Sequence, residues 1–403
     1  MRQKKQSRHA KKNTNKPLNP QLQHITIDSM AHDGRGVGRS DAGKVVFVEG
    51  ALPSEKVSYH LLEERARFAS GLMQEVLVPS EHRVTPRCVI FAKCGGCALQ
   101  HLTAEQQILY KQQQLLDNLH KIATVQPAQL LTPMVGDAWA YRRRARFGAS
   151  YAHTKQEVRL GFRARHSHYI QPTTQCDVLD SKVNELLPSV ANVLSRLDCR
   201  EAIQGVEFCV ADNTTAIVVQ HADMLSHSDG LILTAFAQKH AIQLWIQEQT
   251  VGNQQQQDET LGSSNLYCLH PRQSSTQTPL SQPYLQYQLP KFAQTLAFLP
   301  TDFIQVNDSI NQRLVAKAVE LLDVEPNDRV LDLFCGIGNF TLPLATQAQR
   351  VLGVEGDEAL VQRAKYNQQL NQLENVDFVV ADLFADDCII CLLYTSPSPR
   401  DRG

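Results

Sequence analysis

The sequence predicts a multidomain protein whose last part is an α/β fold of the Rossmann-like type. Three observations support this prediction. Strand-like runs separated by glycines fill residues 18–80, weaker strand and helix signals share residues 81–300, and regular strand–helix alternation begins at residue 301. A chain of 403 residues is also too long for one ordinary core. We therefore expect an N-terminal β-barrel, a central α+β domain and a C-terminal α/β domain with a parallel sheet.

The composition is that of a soluble globular protein, with 42% hydrophobic and 20% charged residues. No apolar run is long enough for a membrane span, and no apolar signal core follows the first charges, so we expect a cytoplasmic protein. The net charge is −1, yet residues 1–17 form a basic arm without a carboxylate. Such an arm is either a disordered segment that attracts polyanions or a solubilising tail, and both interpretations stay open.

Residues 18–80 predict a small β-barrel of OB-like type. Strands are expected at residues 25–28, 34–38, 44–48, 56–62 and 71–78. Gly34, Gly36 and Gly38 form a Gly-x-Gly-x-Gly string, which invites a dinucleotide-binding interpretation. A strand-like run follows that string where a dinucleotide site needs a helix. We therefore interpret these glycines as turn residues of the barrel.

Residues 81–300 carry a strong helix signal near their start. Residues 103–123 predict a helix with Thr103 as N-cap and with Ile108, Leu115, Leu116 and Leu119 on one face. Further on, strands are predicted at 206–210, 215–220 and 243–247, together with one helix at 182–197. The segments 250–260 and 271–283 are typical of surface loops.

Cysteine spacing in the central region indicates a metal site. Cys88, Cys94 and Cys97 lie within ten residues on a Gly-containing loop, and Cys176 follows far downstream. Four thiolates suit a [4Fe–4S] cluster or a structural zinc, and the presence of a single Cys-x-x-Cys pair favours the cluster. Ten cysteines in a chain expected in the cytoplasm also argue against a disulfide framework. Core packing is expected for the isolated residues Cys199, Cys209 and Cys268.

The C-terminal region predicts three helices, at 309–323, 340–348 and 358–372, and three strands, at 329–334, 350–355 and 376–382. Gly336 and Gly338 follow the first strand and allow a ligand to approach the backbone closely. A dinucleotide fingerprint requires a third glycine, but Thr341 holds that place, which disfavours an NAD-dependent oxidoreductase.

Acidic residues at strand ends favour a different ligand for this turn. Asp332, Glu355 and Asp382 stand at or near the carboxyl ends of predicted parallel strands, where such folds bind ligands. Together with the glycine turn, they favour S-adenosylmethionine, which has no pyrophosphate to hold. Cys335 lies inside the turn, and we interpret it as a small packing residue and not as a nucleophile.

A basic segment precedes the predicted strands of the central region. In an extended strand, Arg142, Arg144 and Arg146 share one face, with Tyr141 and Phe147 beside them. This pattern suits phosphate contacts and base stacking, or a charged strand face that prevents edge aggregation. The basic arm and the barrel favour RNA. Further basic residues follow at Arg163, Arg165, His166 and His168.

In combination, these motifs resemble the bacterial 23S ribosomal RNA uracil-5-methyltransferases, most closely the RlmD (RumA) type, over residues 18–387. The resemblance rests on a TRAM-like barrel that contains the segment 47–53, on the four cysteines, on the segments 141–146 and 303–307, and on the turn 332–339. It implies a monomer that acts on 23S rRNA. The helix at 103–123 is a candidate to pack on the methyltransferase domain.

The resemblance also implies residue roles and a mechanism. Cys88, Cys94, Cys97 and Cys176 would hold a [4Fe–4S] cluster. A flipped uracil would receive a cysteine thiolate at C6, accept the methyl group at C5 and lose its C5 proton to a base. Contacts with S-adenosylmethionine are implied for Gln305, Phe334, Asn339, Glu355 and Asp382.

The sequence departs from this family after residue 387. The family's nucleophilic cysteine and proton-abstracting glutamate are expected after Asp382, but the segment 388–403 matches nothing expected and resembles a cloning scar. Cys388 and Cys391 are therefore not accepted as catalytic. We expect an incomplete α/β domain and an inactive chain, and the alternative is a non-catalytic RNA-binding iron–sulfur protein.

Overall fold

The structure is a computed structural model that describes residues 22–222, 225–248, 265–271 and 283–384. The basic arm, the segment 250–260, most of the segment 271–283 and the segment 388–403 lie outside the described residues. The described chain forms two compact units. The first contains the residues up to 133 together with 163–169, and the second contains 134–162 and the residues from 170 onward. No described helix has both the length and the apolar character that a membrane span requires.

The first unit begins with a closed five-stranded barrel in the order β1-β2-β3-β5-β4. Alternate residues fill its interior, as Val46 and Val48 do on β3. A Cβ at Gly38 would lie 2.3 Å from the carbonyl oxygen of Thr26, so a glycine is required there for strand packing. The predicted barrel is confirmed. Of its three glycines, Gly34 lies in the turn before β2, whereas Gly36 and Gly38 lie within β2, so their interpretation as turn residues is wrong. The strands are β1 Gln23–Met30, β2 Gly36–Arg39, β3 Val45–Glu49, β4 Lys56–Glu64 and β5 Phe68–Val78.

A single helix follows the cysteine loop in the first unit. Helix α1 spans Ala104–Asn118 and continues as a π-helical turn over Leu119–Ala123, which confirms the predicted helix. Thr103 occupies the N-cap position, but its side chain makes no capping hydrogen bond. The hydroxyl of Tyr110 donates to the carbonyl oxygen of Ala31, which ties α1 to the barrel. None of the residues of α1 is buried.

The second unit contains a seven-stranded sheet in the order β12-β11-β10-β9-β6-β7-β8. Phe147, Phe208 and Ile217 project from it into a core that α2 closes with Leu187 and Leu194. The strands are β6 Arg144–Ala152, β7 Glu157–Arg163, β8 Ile170–Pro172, β9 Ile203–Val210, β10 Thr215–His221, β11 Gln243–Glu248 and β12 Asn265–His270. The helices are α2 Ser181–Ser195 and α3 His227–His240.

The prediction of one helix in this region is wrong because α3 also forms. Strands β10 and β11 pair in parallel, and parallel neighbours need a crossover, which α3 supplies. The apolar residues of α3 do not form one stripe, since Leu231 is 60% exposed while Leu233 is buried. The buried carboxylate of Asp229 accepts hydrogen bonds from the backbone N–H groups of Asp198 and Cys199. Such contacts between distant segments leave no periodic signal in the sequence.

A hairpin and a three-stranded parallel sheet complete the second unit. The hairpin consists of β13 Leu285–Leu289 and β14 Gln294–Phe298. The α/β part contains α4 Asp308–Leu322, β15 Arg329–Leu333, α5 Thr341–Ala345, β16 Arg350–Glu355, α6 Glu358–Leu370 and β17 Val376–Val380, with strand order β15-β16-β17. All six predicted α/β elements are confirmed, with small differences at their ends.

A buried asparagine connects the hairpin to the parallel sheet. The side chain of Asn367 on α6 is fully buried and accepts a hydrogen bond from the Ala297 N–H at 2.7 Å. Its amide donates to the carbonyl oxygens of Ala297 and Ile337, at 3.1 Å and 3.0 Å. Ile337 lies in the glycine turn after β15, so Asn367 fixes the position of that turn relative to the hairpin.

Candidate functional site

The turn after β15 exposes its backbone at the carboxyl edge of the parallel sheet. Phe334, Gly336 and Gly338 have positive φ angles of 60°, 55° and 95°. The Cys335 N–H donates to the carbonyl oxygen of Val354 at 3.0 Å, which anchors the turn to β16. A Cβ at Gly336 would meet open space, so glycine is needed there for its backbone angle and leaves room beside the chain. A left-handed conformation at a residue other than glycine, as at Phe334, is uncommon and often marks a functional turn.

Two acidic residues predicted as ligand contacts lie at this same edge. Glu355 ends β16, and its carboxylate accepts hydrogen bonds from the Gly336 N–H at 3.0 Å and the Gly356 N–H at 2.8 Å. Asp382 follows β17, is exposed and accepts from the Phe384 N–H at 2.9 Å. Because β15, β16 and β17 are parallel, these carboxylates and the turn meet at one edge of the sheet.

The side chain of Asn339 is held in place by residues from two other elements. Its Oδ1 accepts hydrogen bonds from the Tyr287 hydroxyl at 2.9 Å and from Nδ2 of Asn311 at 3.1 Å. Its Nδ2 donates to Oδ1 of Asn311 at 3.0 Å. Gln305 has an exposed side chain and lies between β14 and α4, where its carbonyl oxygen accepts from Nε of Arg143 at 3.2 Å.

Asp332 stabilises the turn after β15 through a hydrogen bond with Thr341. The Thr341 hydroxyl donates to its carboxylate at 2.6 Å, so the residue that replaces the third glycine has a structural partner. Burial raises the pKa of Asp332 above its ordinary value, and the charge of Glu355 acts in the same direction. A carboxylate in this position orders the first turn of α5, and its desolvation is only partly offset by the hydroxyl.

The interpretation of Cys335 as a packing residue is confirmed. Its side chain is 6% exposed and belongs to the core under the turn. Burial raises the pKa of the Cys335 thiol to about 12, so it remains protonated near neutral pH and is a poor nucleophile. Cys209 is also a core residue, and Cys199 and Cys268 pack against core clusters, as predicted.

Two of the three arginines on the predicted face of the segment 141–146 are bound by other side chains of the protein. The guanidinium of Arg144 pairs with the Glu207 carboxylate at 2.5 Å, and that of Arg146 donates to Oε1 of Gln220 at 3.1 Å. Arg144, whose side chain is 17% exposed, is therefore not available for a phosphate. Arg142 and Arg146 are exposed, and for these two the phosphate-binding face stays a prediction.

We call the turn after β15, together with Gln305, Glu355 and Asp382, the cofactor edge. Sequence reasoning missed Arg143, which donates a hydrogen bond to the carbonyl oxygen of Gln305 in this group. Its side chain is 6% exposed, and Nη1 forms an ion pair with the Asp308 carboxylate at 2.7 Å. Its guanidinium carbon lies 4.8 Å from the ring centroid of Tyr287. The residue alternates with Ala145 and Phe147, both buried, so the strand periodicity placed it on the inward face. This alternation of residues along the strand is the sequence signal from which the inward position of Arg143 could be predicted.

The predicted cluster ligands fall on both units, with Cys88, Cys94 and Cys97 in the first and Cys176 in the second. Burial raises the pKa of the Cys94 thiol, and the nearby thiols of Cys97 and Cys88 raise it further. A Cβ at Gly95 would lie 2.8 Å from the carbonyl oxygen of Arg163, so the loop requires glycine there.

No group of three or more histidine, cysteine, aspartate or glutamate side chains forms a metal-binding arrangement in the described part of the chain. The donor chemistry nevertheless fits an iron–sulfur cluster. Three neighbouring thiols, one of them buried, are the ligand type that such clusters use. The backbone of Cys176 is fixed by Asn184, which accepts from its N–H at 2.8 Å and donates to its carbonyl oxygen at 3.1 Å.

The chain is similar to known families and to curated relatives. Residues 103–387 match the family described as tRNA (Uracil-5-)-methyltransferase, and residues 20–71 match the TRAM domain. A protein of Xanthomonas campestris pv. campestris (strain 8004), named 23S rRNA (uracil(1939)-C(5))-methyltransferase RlmD, is 41% identical over 362 residues, which cover 89% of this chain and 77% of the relative. A protein of the same name from Ralstonia nicotianae is 39% identical over 372 residues, which cover 90% of this chain and 78% of the relative.

One solved structure has the same fold. The tRNA (uracil-54, C5)-methyltransferase of Pyrococcus abyssi, in complex with S-adenosyl-L-homocysteine, aligns with a TM-score of 0.63 and covers 89% of this chain and 79% of that chain. Sequence identity between the two is 17%, so the likeness shows the fold alone.

Proposed function

The chain belongs to the tRNA (uracil-5-)-methyltransferase family, and we propose, against the expectation of an inactive chain, that it methylates carbon 5 of a uracil in 23S ribosomal RNA with S-adenosylmethionine as donor. The observation that carries this proposal is the 41% identity to a relative named for that reaction, over 89% of the chain. The glycine turn at the carboxyl edge of a parallel sheet, with open space beside Gly336, supports it. A cytoplasmic monomer is part of the same proposal.

We propose that the donor lies against the turn after β15. The Glu355 carboxylate is already oriented by three backbone N–H groups, and its remaining lone pair suits a ribose hydroxyl. Phe334 is 58% exposed and offers an apolar ring beside the turn. Polar contacts are proposed for Gln305, Asn339 and Asp382.

Methyl transfer to uracil needs a covalent step. Carbon 5 of uracil is a weak nucleophile, so a thiolate must first add to C6. After methyl transfer a base must remove the C5 proton, which restores the C5–C6 double bond as the C6–S bond breaks and the thiolate leaves. Burial raises the thiol pKa of Cys209, Cys268 and Cys335 to about 12, so none of these three suits the nucleophile. The target base must also leave its stack, because stacking covers C5 and C6.

We propose further that Cys88, Cys94, Cys97 and Cys176 hold a [4Fe–4S] cluster. When bound, such a cluster accepts thiolate ligands and fixes the loops that carry them. The proposal is supported by the position of the first three thiols on one short loop, where Cys97 and Cys88 lie close enough to raise the pKa of the Cys94 thiol. Anaerobic reconstitution with iron and sulfide should give four iron atoms per chain. Cys94→Ala should lower the iron content, whereas Cys199→Ala, at an isolated cysteine, should not.

The proposed activity is tested by donor binding and by product analysis on the same preparation. Titration calorimetry should detect S-adenosylmethionine binding, and Glu355→Gln should weaken it by about tenfold, since a charged hydrogen-bond acceptor is lost. The matched control is Glu358→Gln, in the first turn of α6. Digestion of 23S rRNA treated with labelled donor should give 5-methyluridine. RNA binding without donor heat and without this nucleoside would contradict the proposal and favour a non-catalytic RNA-binding protein.

A further inference from the structure

A cavity of about 500 Å³ lies in the first unit, between the barrel and the cysteine loop. Every lining residue belongs to that unit, and none of Cys88, Cys94 and Cys97 lines the cavity. Its volume is in the range of small-ligand sites. The cationic and aromatic lining includes Arg35, Arg83, Phe91, His101 and Arg165.

His101 is the unusual residue of this cavity. It is 3% exposed, and within the described residues neither of its ring nitrogens has a hydrogen-bond partner. A buried polar group without a partner costs free energy, so a ligand that supplies the partners would gain from binding there. Burial, followed by the charge of Arg83, lowers the pKa of His101 to about 4. The neutral ring therefore offers one donor and one acceptor.

An aromatic surface adjoins these nitrogens. The Phe91 ring lies 5.4 Å from the His101 ring, and the guanidinium of Arg165 lies 5.1 Å from the Phe91 ring. Arg165 is held by the Glu49 carboxylate at 2.8 Å and by the carbonyl oxygen of Cys97 at 2.6 Å. Planar groups in a fixed arrangement suit a planar ligand that can both stack and form hydrogen bonds.

One arginine of the lining can still reach an anionic group on that ligand. Each of the three lining arginines pairs with a carboxylate, Arg83 with Glu55 at 2.5 Å, Arg165 with Glu49 and Arg35 with Asp33 at 2.8 Å, so the cavity carries no excess of charge. A third of the Arg35 side chain is nevertheless exposed, which leaves part of its guanidinium free for a second acceptor. This guanidinium and the aromatic interior together suit a base joined to a phosphate.

We propose that this cavity binds one nucleotide of single-stranded RNA, other than the uridine that receives the methyl group. His101 reads the edge of the base, Phe91 supplies the stacking surface, and Arg35 faces the phosphate. The choice of RNA rests on the proposed function, whereas the nucleotide chemistry rests on the cavity itself.

The test uses the full chain with a labelled single-stranded RNA and with the four nucleoside 5′-monophosphates as competitors. His101→Phe keeps an aromatic ring against Phe91 and removes both nitrogens. We expect it to weaken RNA binding by about tenfold, the effect of losing hydrogen bonds to a desolvated partner. His82→Phe is the matched control, because the His82 side chain is 40% exposed and does not line this cavity. At least one mononucleotide should compete with RNA, whereas inorganic phosphate should not.

Three results would overturn the inference. The first is that His101→Phe binds RNA as tightly as the unaltered chain. The second is that phosphate competes with RNA as strongly as every mononucleotide does. The third is that no mononucleotide competes. If His101→Phe does not fold, photo-crosslinking of thiouridine-containing RNA to the unaltered chain decides the matter. Cross-linked peptides should then include residues 91–101, and their absence refutes the site. Calorimetry with S-adenosylmethionine on the same sample reports the proposed function separately.

Discussion

Arg143 should be more important for the second unit than any exposed arginine. We expect Arg143→Met to lower the free energy of unfolding by about 3 kcal/mol, because it leaves the Asp308 carboxylate without its partner. Removal of one partner from a buried ion pair costs roughly 3–5 kcal/mol. The Asp308 side chain is 32% exposed, so water compensates part of this loss, while the lost contact with the Tyr287 ring adds about 1 kcal/mol.

Urea unfolding followed by tryptophan fluorescence is the appropriate assay. Both tryptophans, Trp139 and Trp245, belong to the second unit, so the signal reports the unit that contains Arg143. Arg159→Met is the control, since Arg159 pairs with Glu157 at 3.0 Å while 27% of its side chain is exposed. A partly exposed pair of this kind contributes at most about 1 kcal/mol.

A double variant separates the charge effect from the loss of packing. Arg143→Met combined with Asp308→Asn removes the unpaired carboxylate and should recover about half of the lost stability. Arg143→Met should also weaken S-adenosylmethionine binding, because the carbonyl oxygen of Gln305 loses its donor. Equal unfolding free energies for Arg143→Met and Arg159→Met would refute the reasoning.

Three further results are expected at the cofactor edge. Burial raises the pKa of Asp332, so folding favours the protonated carboxyl group. The resulting contribution to the free energy of unfolding is present at acid pH and is lost as pH rises through the pKa of the folded state. Asp332→Asn, which keeps an acceptor for Thr341, should therefore gain stability relative to the unaltered chain between acid and neutral pH in urea unfolding. Tyr287→Phe should weaken donor binding about fivefold in calorimetry, through loss of one hydrogen bond to Asn339. Asn367→Ala should lower the unfolding free energy by about 3 kcal/mol, because three buried backbone groups lose their partner.

The elements that the sequence predicts well are those with local signals. The barrel strands alternate in burial and are separated by glycines, and the α/β elements follow one another with caps such as Asn307 and Asp357. Helix α3 lacks such a signal, since Gly230 interrupts its pattern and its apolar residues do not form a stripe. Its existence follows from the parallel pairing of β10 and β11, which is a relation between distant segments.

The basic segment shows why residue type does not determine role. A run of consecutive arginines suggests that the segment binds a polyanion. In the structure, however, Arg143 and Arg144 form ion pairs with carboxylates from α4 and β9. Both carboxylates lie far from the arginines in the sequence, so the partners became visible only in the fold. Within the described residues no carboxylate pairs with Arg142 or Arg146, and both are exposed, so these two remain the candidates for RNA contact.

The cofactor edge combines a locally encoded turn with support from remote residues. The glycines at 336 and 338 set the backbone angles, so the turn could be predicted from a short string. Its orientation depends on Asn367, and that of Asn339 depends on Tyr287 and Asn311. None of these three supporting residues belongs to a recognisable ligand motif, because their contacts with the turn appear only in the folded chain. Substitutions there should therefore change donor affinity through the geometry of the turn, and a search restricted to motif residues would overlook them.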